Sequence, residues 1–180
     1  MNEASVMLLV SHDTDGAPRI LFTRRAKGMN FAGGQVSFPG GSRDGEETPV
    51  ETALRETCEE IGLQAQQITV RAELASKDFP RGKGFVVHPV WGTWSGDMSL
   101  VRPSCAEVAS VANIPVTMLA NPENRCRWER DGRVGGPMFI VEGLYIWGFT
   151  ALITAEFLRA QGWERPWDKD QVISVPPDFQ

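Results

Sequence analysis

Glu56, Glu59 and Glu60 stand three and four residues apart, a spacing that gathers three carboxylates on one face of a helix. Like charges at that spacing repel by roughly 0.2–0.5 kcal/mol per pair on an exposed helix, so a counter-charge is expected. Two arrangements supply one. A solvated acidic face can pair Arg55 with Glu59, or a divalent cation can take the carboxylates as oxygen ligands while holding water and substrate phosphate. The residues ahead of the helix favour the cation. Phe38-Pro39-Gly40-Gly41 reads as a tight glycine turn after a short apolar strand, with Gly45 in the loop that follows. Such a loop permits close backbone approach, and a carbonyl there can join the carboxylates.

The helix that must position these groups is well marked. Thr48, Pro49 and Glu51 form a start signal with a capping box, and Gly62 is the matching stop. Val50, Ala53, Leu54, Thr57, Cys58 and Ile61 recur at three- and four-residue steps as a mainly apolar stripe facing a core. The three glutamates are expected on a face turned away from it. Cys58 reads as a small buried hydrophobe.

Gly41, Glu47 and the run Arg55-Glu56-Thr57-Cys58-Glu59-Glu60-Ile61-Gly62-Leu63 together resemble the Nudix box of the Nudix hydrolases. Thr57 is the one departure, standing where the pattern wants an apolar residue. The resemblance implies an α/β (α+β) fold, an α/β/α sandwich around a mixed β-sheet, and hydrolysis of a diphosphate linked to another group. It also implies that Glu56, Glu59 and Glu60 are metal ligands, with Glu56 assisting as base, and that Gly41 offers its carbonyl. Arg55 and Glu47 would pair to orient the loop on the helix. The ion implied is Mg²⁺ or Mn²⁺.

A second resemblance adjoins the first. Leu21-Phe22-Thr23, Arg25-Ala26, Gly34 and Phe38-Pro39-Gly40-Gly41 are similar to the signature of the coenzyme A diphosphatase branch, and Tyr145 to Ala151 resembles that branch's entry to its last helix. The chain departs at Phe22, in place of Leu, and at Asn30, in place of Arg. The branch implies coenzyme A or an acyl derivative as substrate. ADP-ribose, a dinucleotide or a nucleoside triphosphate keeps the metal site with another pocket, and a non-catalytic binding module would be expected to have lost the box carboxylates.

The rest of the chain supplies the frame. Its 180 residues, 42% hydrophobic, fit one domain over 1–162, followed by a proline- and charge-rich tail, 163–180, packed on it or partly disordered. Cys58, Cys105 and Cys126 have no paired metal spacing and point to reduced thiols in a cytoplasm. Met1 to Val10 lacks the basic start of a signal peptide, and no stretch is long enough to span a bilayer. Val6 to Val10 and Arg19 to Thr23 read as a hairpin, and Ile68 to Leu74 and Gly84 to Trp94 as further strands. Val108 to Ile114 reads as another strand, Pro115 to Ala120 as a short helical turn, and Arg125 to Glu129 with Met138 to Val141 as a hairpin across Asp131 to Pro137. Trp147 to Ala160 reads as a second long helix with Leu152, Ala155, Phe157 and Leu158 among its apolar positions.

The net charge of −5 opposes a polyanionic substrate at long range, so local cations must overcome it. Arg24, Arg25 and Lys27 form a basic patch ahead of the glycine loop, with Phe31 beside them, and Lys77, Arg81 and Lys83 lie in a later loop. These are the candidates for substrate contact, because guanidinium and ammonium groups suit phosphate. Glu107, an acid at the edge of a strand, is the candidate for a further carboxylate acting as ligand or base. His88, before Pro89, reads as a half-buried histidine, and Trp91 and Trp94 as sheet packing. The partner expected is a small-molecule nucleoside diphosphate derivative such as coenzyme A, with no nucleic acid or membrane; a homodimer is in keeping with the family.

Overall fold

The structure is a computed structural model that describes residues 2–28, 32–78 and 85–180. The opening hairpin is β1 (Asn2–His12) with β2 (Pro18–Arg25), closed by Asp13, whose side chain accepts from the Asp15 and Ala17 amides. Two short strands follow, β3 (Val36–Ser37) and β4 (Gly40–Ser42), then helix α1 (Pro49–Ile61). Next come β5 (Thr69–Glu73), β6 (Lys77–Asp78), β7 (Phe85–Thr93), β8 (Val108–Pro115) and the short helix α2 (Val116–Ala120). The last part holds β9 (Arg125–Arg130), β10 (Arg133–Val141), β11 (Leu144–Ile146), helix α3 (Gly148–Ala160) and β12 (Val172–Ser174).

The strands make a large mixed sheet and a small one. In the large sheet β3, β2, β1, β7 and β5 follow one another, with β1 and β7 parallel and β8 antiparallel to β2. The small sheet runs β11, β10, β9, β12, with β12 parallel to β9. Alternation along β1 and β2 feeds two cores. Met7, Leu9 and Leu21 pack under α1 with Ala53, Ile61 and Val90, whereas Leu8, Val10, Ile20 and Phe22 pack against the small sheet and α3. This is the layered α+β arrangement expected, with helices outside mixed sheets.

Helix α1 begins and ends as its residues dictate. Thr48 caps the Glu51 amide, Glu51 bonds back to the Thr48 amide at 2.7 Å, and Gly62 closes the helix at φ 77°. Thr57 is fully buried, and its hydroxyl donates to the Ala53 carbonyl at 2.7 Å. That bond removes the cost of a hydroxyl in an apolar position.

Several sequence expectations need correcting. Gly40 and Gly41 lie in β4, paired with Val6 and Ser5 of β1, rather than in a tight turn. The physical reason for glycine is room: a Cβ on Gly40 would stand 2.3 Å from the Ser5 carbonyl oxygen. Cys58 is half-buried, with the Gln64 amide donating to its sulfur. The β9–β10 hairpin turns tightly at Asp131 and Gly132, both with positive φ, and the residues read as loop form β10 with a bulge between Val134 and Pro137. Leu152, expected in the core, is 40% exposed on α3. The tail supplies β12 and buries Val175 and Phe179. Trp91 and Trp94 do pack on the sheet, and His88 is half-buried with Glu73 3.4 Å away.

Candidate functional site

The acidic face of α1 is only partly open to solvent. Its neighbours are β4 and the chain that leaves the helix. Glu59 is the exposed member, with 58% of its side chain accessible, whereas Glu56 is mostly covered and Glu60 is 2% exposed. The expectation of three carboxylates turned away from the core is therefore corrected for Glu60. Residues Thr52, Thr57 and Glu60 share the inward side with Ala53 and Ile61, because α1 packs on the large sheet over a wider arc than its apolar stripe.

Arg55 organises the loop. It donates to both carboxylate oxygens of Glu47 at 2.8 and 3.1 Å, to the Ser42 carbonyl at 2.9 Å, to Glu56 at 2.8 Å and to Glu59 at 3.2 Å. Thr52 and the Asp44 amide also donate to Glu47. The Arg55 hydrogen bond holds the Glu47 carboxyl down at about 2, and Arg55 itself is driven further above its ordinary value. The 43–48 loop is thus clamped onto the first turns of α1 by one guanidinium.

Glu60 has poorer compensation. It accepts from the Gly40 amide at 3.2 Å and faces Arg25 at 3.6 Å. Burial raises its carboxyl to about 7 against those two contacts, and Glu56 and Glu107 push in the same direction. Burial also raises Glu56 above the usual range despite Arg55. Glu107 reaches this cluster although it is far away in sequence. The Arg102 and Ser104 amides donate to the Ile61 and Glu60 carbonyls, and the Ala26 amide donates to the Glu107 carbonyl at 2.8 Å, so residues 102–107 are stitched between α1 and β2. Carboxylates from two elements consequently share one field.

Gly41 completes the wall. A Cβ there would lie 2.5 Å from the Glu56 carboxyl group, so only glycine lets the strand come this close. Among the described residues, no three His, Cys, Asp or Glu side chains are drawn together at metal-coordinating spacing. The donor set nonetheless fits a hard divalent cation: it is all oxygen, it is crowded with like charge, and burial disfavours its ionisation unless a cation arrives.

The basic patch divides by strand alternation. Arg25 turns to the α1 side, where its Nε is buried without a hydrogen-bond partner among the described residues. Arg24 turns to the other side, donating to the Gly34 and Asp178 carbonyls with its guanidinium 4.1 Å from the Phe179 ring. Lys27 pairs with Asp178 at 2.8 Å, and Lys77 with Glu156 at 2.5 Å. Phe31, Arg81 and Lys83, and Asn30 with them, lie outside the described residues. Sequence reasoning missed the Gly40 amide and the tail's hold on Arg24 and Lys27. The first is a backbone group with no residue signature; the second needed Asp178 and Phe179 to be brought across the fold.

Residues 1–130 match the NUDIX domain. The chain is 37% identical over 120 residues to Nudix hydrolase 3 of Caenorhabditis elegans, covering 66% of this chain and 50% of that protein. It is 35% identical over 145 residues to the mitochondrial coenzyme A diphosphatase NUDT8 of Homo sapiens, covering 77% of this chain and 61% of that one. The chain thus spans half to about three-fifths of the length of these two relatives. Among solved structures, the Nudix hydrolase RenU of M. smegmatis superposes with a TM-score of 0.56 at 28% identity, over 66% of this chain and 73% of that one. With the domain match covering most of the chain, this protein belongs to the Nudix hydrolase family.

Proposed function

We propose that this protein is a metal-dependent pyrophosphohydrolase that cleaves the diphosphate of coenzyme A or an acyl-coenzyme A to 4′-phosphopantetheine and 3′,5′-ADP. The observation that carries the reading is the mutual electrostatic influence of Glu56, Glu60 and Glu107 on a partly buried face, with Gly41 against the Glu56 carboxyl group. The coenzyme A part draws on the front signature from Leu21 to Gly41 and on the human relative's own description. Glu56, Glu59, Glu60 and the Gly41 carbonyl would hold Mg²⁺ or Mn²⁺. Such an ion, when bound, neutralises diphosphate charge and makes a water more acidic.

The chain's own groups do the remainder. The carboxylate of Glu56 or Glu107 takes the proton of the attacking water as the new P–O bond forms and the bridging P–O bond breaks. Arg55 keeps Glu56 and the 43–48 loop in register. Arg25 is the member of the basic patch best suited to meet a phosphate oxygen, since its Nε has no partner among the described residues, whereas Arg24 and Lys27 are engaged by the tail. The catalytic unit in this reading is residues 1–162, with 163–180 packed on it, and the three free cysteines suit a reducing cytoplasm. No described helix is long and apolar enough to cross a membrane.

The test is kcat/KM for coenzyme A, dephospho-coenzyme A and ADP-ribose in parallel at fixed Mg²⁺, with Glu60→Gln as blank. A preference for coenzyme A, lost by on the order of 100-fold or more in Glu60→Gln, supports the reading. A second reading is favoured by Asn30, which replaces the arginine of the branch signature. ADP-ribose or another nucleoside diphosphate derivative would then be the preferred substrate of the same site.

A further inference from the structure

A cavity of about 720 Å³ opens between α3, β9, the β10 bulge and residues 164–169. It lies on the side of the large sheet away from α1 and the carboxylate cluster, and its volume is in the range of small-molecule sites. In a chain of net charge −5 its walls are basic. Arg165 and Lys169 line it and have no ion-pair or hydrogen-bond partner among the described residues. Arg127 commits its Nε to the Gly135 carbonyl at 2.9 Å and leaves its terminal nitrogens to the cavity. The two carboxylates in the walls are already engaged. Glu164 accepts from Arg125 at 3.2 Å and Arg159 at 2.9 Å, and Glu156 takes the Lys77 ammonium at 2.5 Å.

The Arg125 side chain in its wall distinguishes this cavity from a merely basic surface. Arg125 is 1% exposed, yet its Nε and Nη2 have no hydrogen-bond partner among the described residues. Each buried donor left unpaired costs about 1–3 kcal/mol, a cost that the flanking Phe139 and Trp167 rings, 4.7 and 4.6 Å away, offset only in part. A purely structural role for Arg125 leaves those two donors unexplained. Those donors are covered in the wall, so an anion in the cavity would act on the Arg125 guanidinium through its field rather than by direct contact. Trp167, half-buried, and Leu152, exposed beside it, add an apolar wall.

We propose that this cavity is a second ligand site that takes a nucleoside phosphate, its planar base against Trp167 and Leu152 and its phosphate charges against Arg127, Arg165 and Lys169, with the buried Arg125 guanidinium in the wall. The walls offer a surface to each half of that ligand. Inorganic phosphate would leave the indole and Leu152 uncovered, and a neutral ring would leave the cations unmatched; guanidinium forks suit phosphate and an indole face suits any planar ring.

The experiment is calorimetric titration of ADP and, separately, inorganic pyrophosphate into the full chain in EDTA. It is run on wild type, Arg165→Ala/Lys169→Ala, Trp167→Ala and Glu60→Gln. Arg165 and Lys169 are exposed, so the double variant is expected to fold. ADP should bind more tightly than pyrophosphate, lose about 10-fold in affinity in the double variant and in Trp167→Ala, and be unchanged in Glu60→Gln. Three results would overturn the proposal: no heat at millimolar ADP, equal affinity for pyrophosphate, or ADP binding that is lost in Glu60→Gln and kept in the double variant.

Discussion

Among the described residues, the two sides of the large sheet each bury one charged side chain almost completely, and they treat it in opposite ways. Glu60, under β4 at the α1 face, stands among carboxylates of its own sign and is served by one backbone amide and one distant guanidinium. Arg125, between the small sheet and the tail, has Glu164 at 3.2 Å and an aromatic ring on either side. The first arrangement leaves the charge to be neutralised by something that binds. The second neutralises much of it within the chain, which is why Arg125 contributes to the fold while Glu60 in the metal-free protein works against it.

That contrast can be broken from either side. The largest effect is expected at Arg125→Ala, which strands Glu164 and empties the slot between two rings: a loss of about 3–5 kcal/mol in urea unfolding, with Arg125→Met costing clearly less because it refills the slot with apolar volume. If Ala and Met cost the same, the rings are not what holds Arg125.

Glu60 should show the opposite sign. Its folded carboxyl is raised from 4.5 to about 7, so the folded state binds the proton more tightly than the unfolded chain does. Stability in EDTA should therefore be highest below pH 4.5 as far as this group is concerned, and fall as pH rises to about 7, by on the order of 3 kcal/mol at most. Glu60→Gln should flatten that slope, and Mg²⁺ should restore the stability of wild type at pH 8 but not that of the variant. A flat wild-type profile over this range would show that Arg25 and the Gly40 amide suffice.

Gly41→Ala pushes a methyl group against the Glu56 carboxyl group and should cost about 10- to 100-fold in kcat/KM, with little change in melting temperature, because the displaced group is the end of a side chain. The smallest effect is expected at Thr48→Ala. It removes one half of the capping box and should lower stability by about 1 kcal/mol while leaving KM unchanged, since the acids lie about two to three turns further along α1. A large loss of activity there would mean that the clamp through Arg55 depends on the cap.

The start and stop of α1, the hairpin of β1 and β2, and the glutamate spacing were legible because each rests on neighbours in sequence: a cap three residues from its partner, a stripe of period 3.6, a turn at Asp13. Glu107 was legible only as an isolated acid at a strand edge. Its approach to Glu60 depends on backbone bonds from Arg102 and Ser104 to the end of α1. The glycines of β4 were recognised as a place of close approach but assigned to a turn, because strand pairing with β1 has no local signature. Arg24, Arg25 and Lys27 looked like one patch in sequence. Alternation sends the adjacent arginines to opposite faces, and the tail then claims Arg24 and Lys27.

By itself, then, the sequence determined the family and the helix that carries the carboxylates, since these follow from residue type and short spacing. Tertiary structure alone decided which carboxylates are buried, which cation meets them, and that a basic cavity stands behind the sheet. Those outcomes depend on burial and on partners far apart in the chain, and neither the dielectric around a side chain nor its distant neighbours is written in local order.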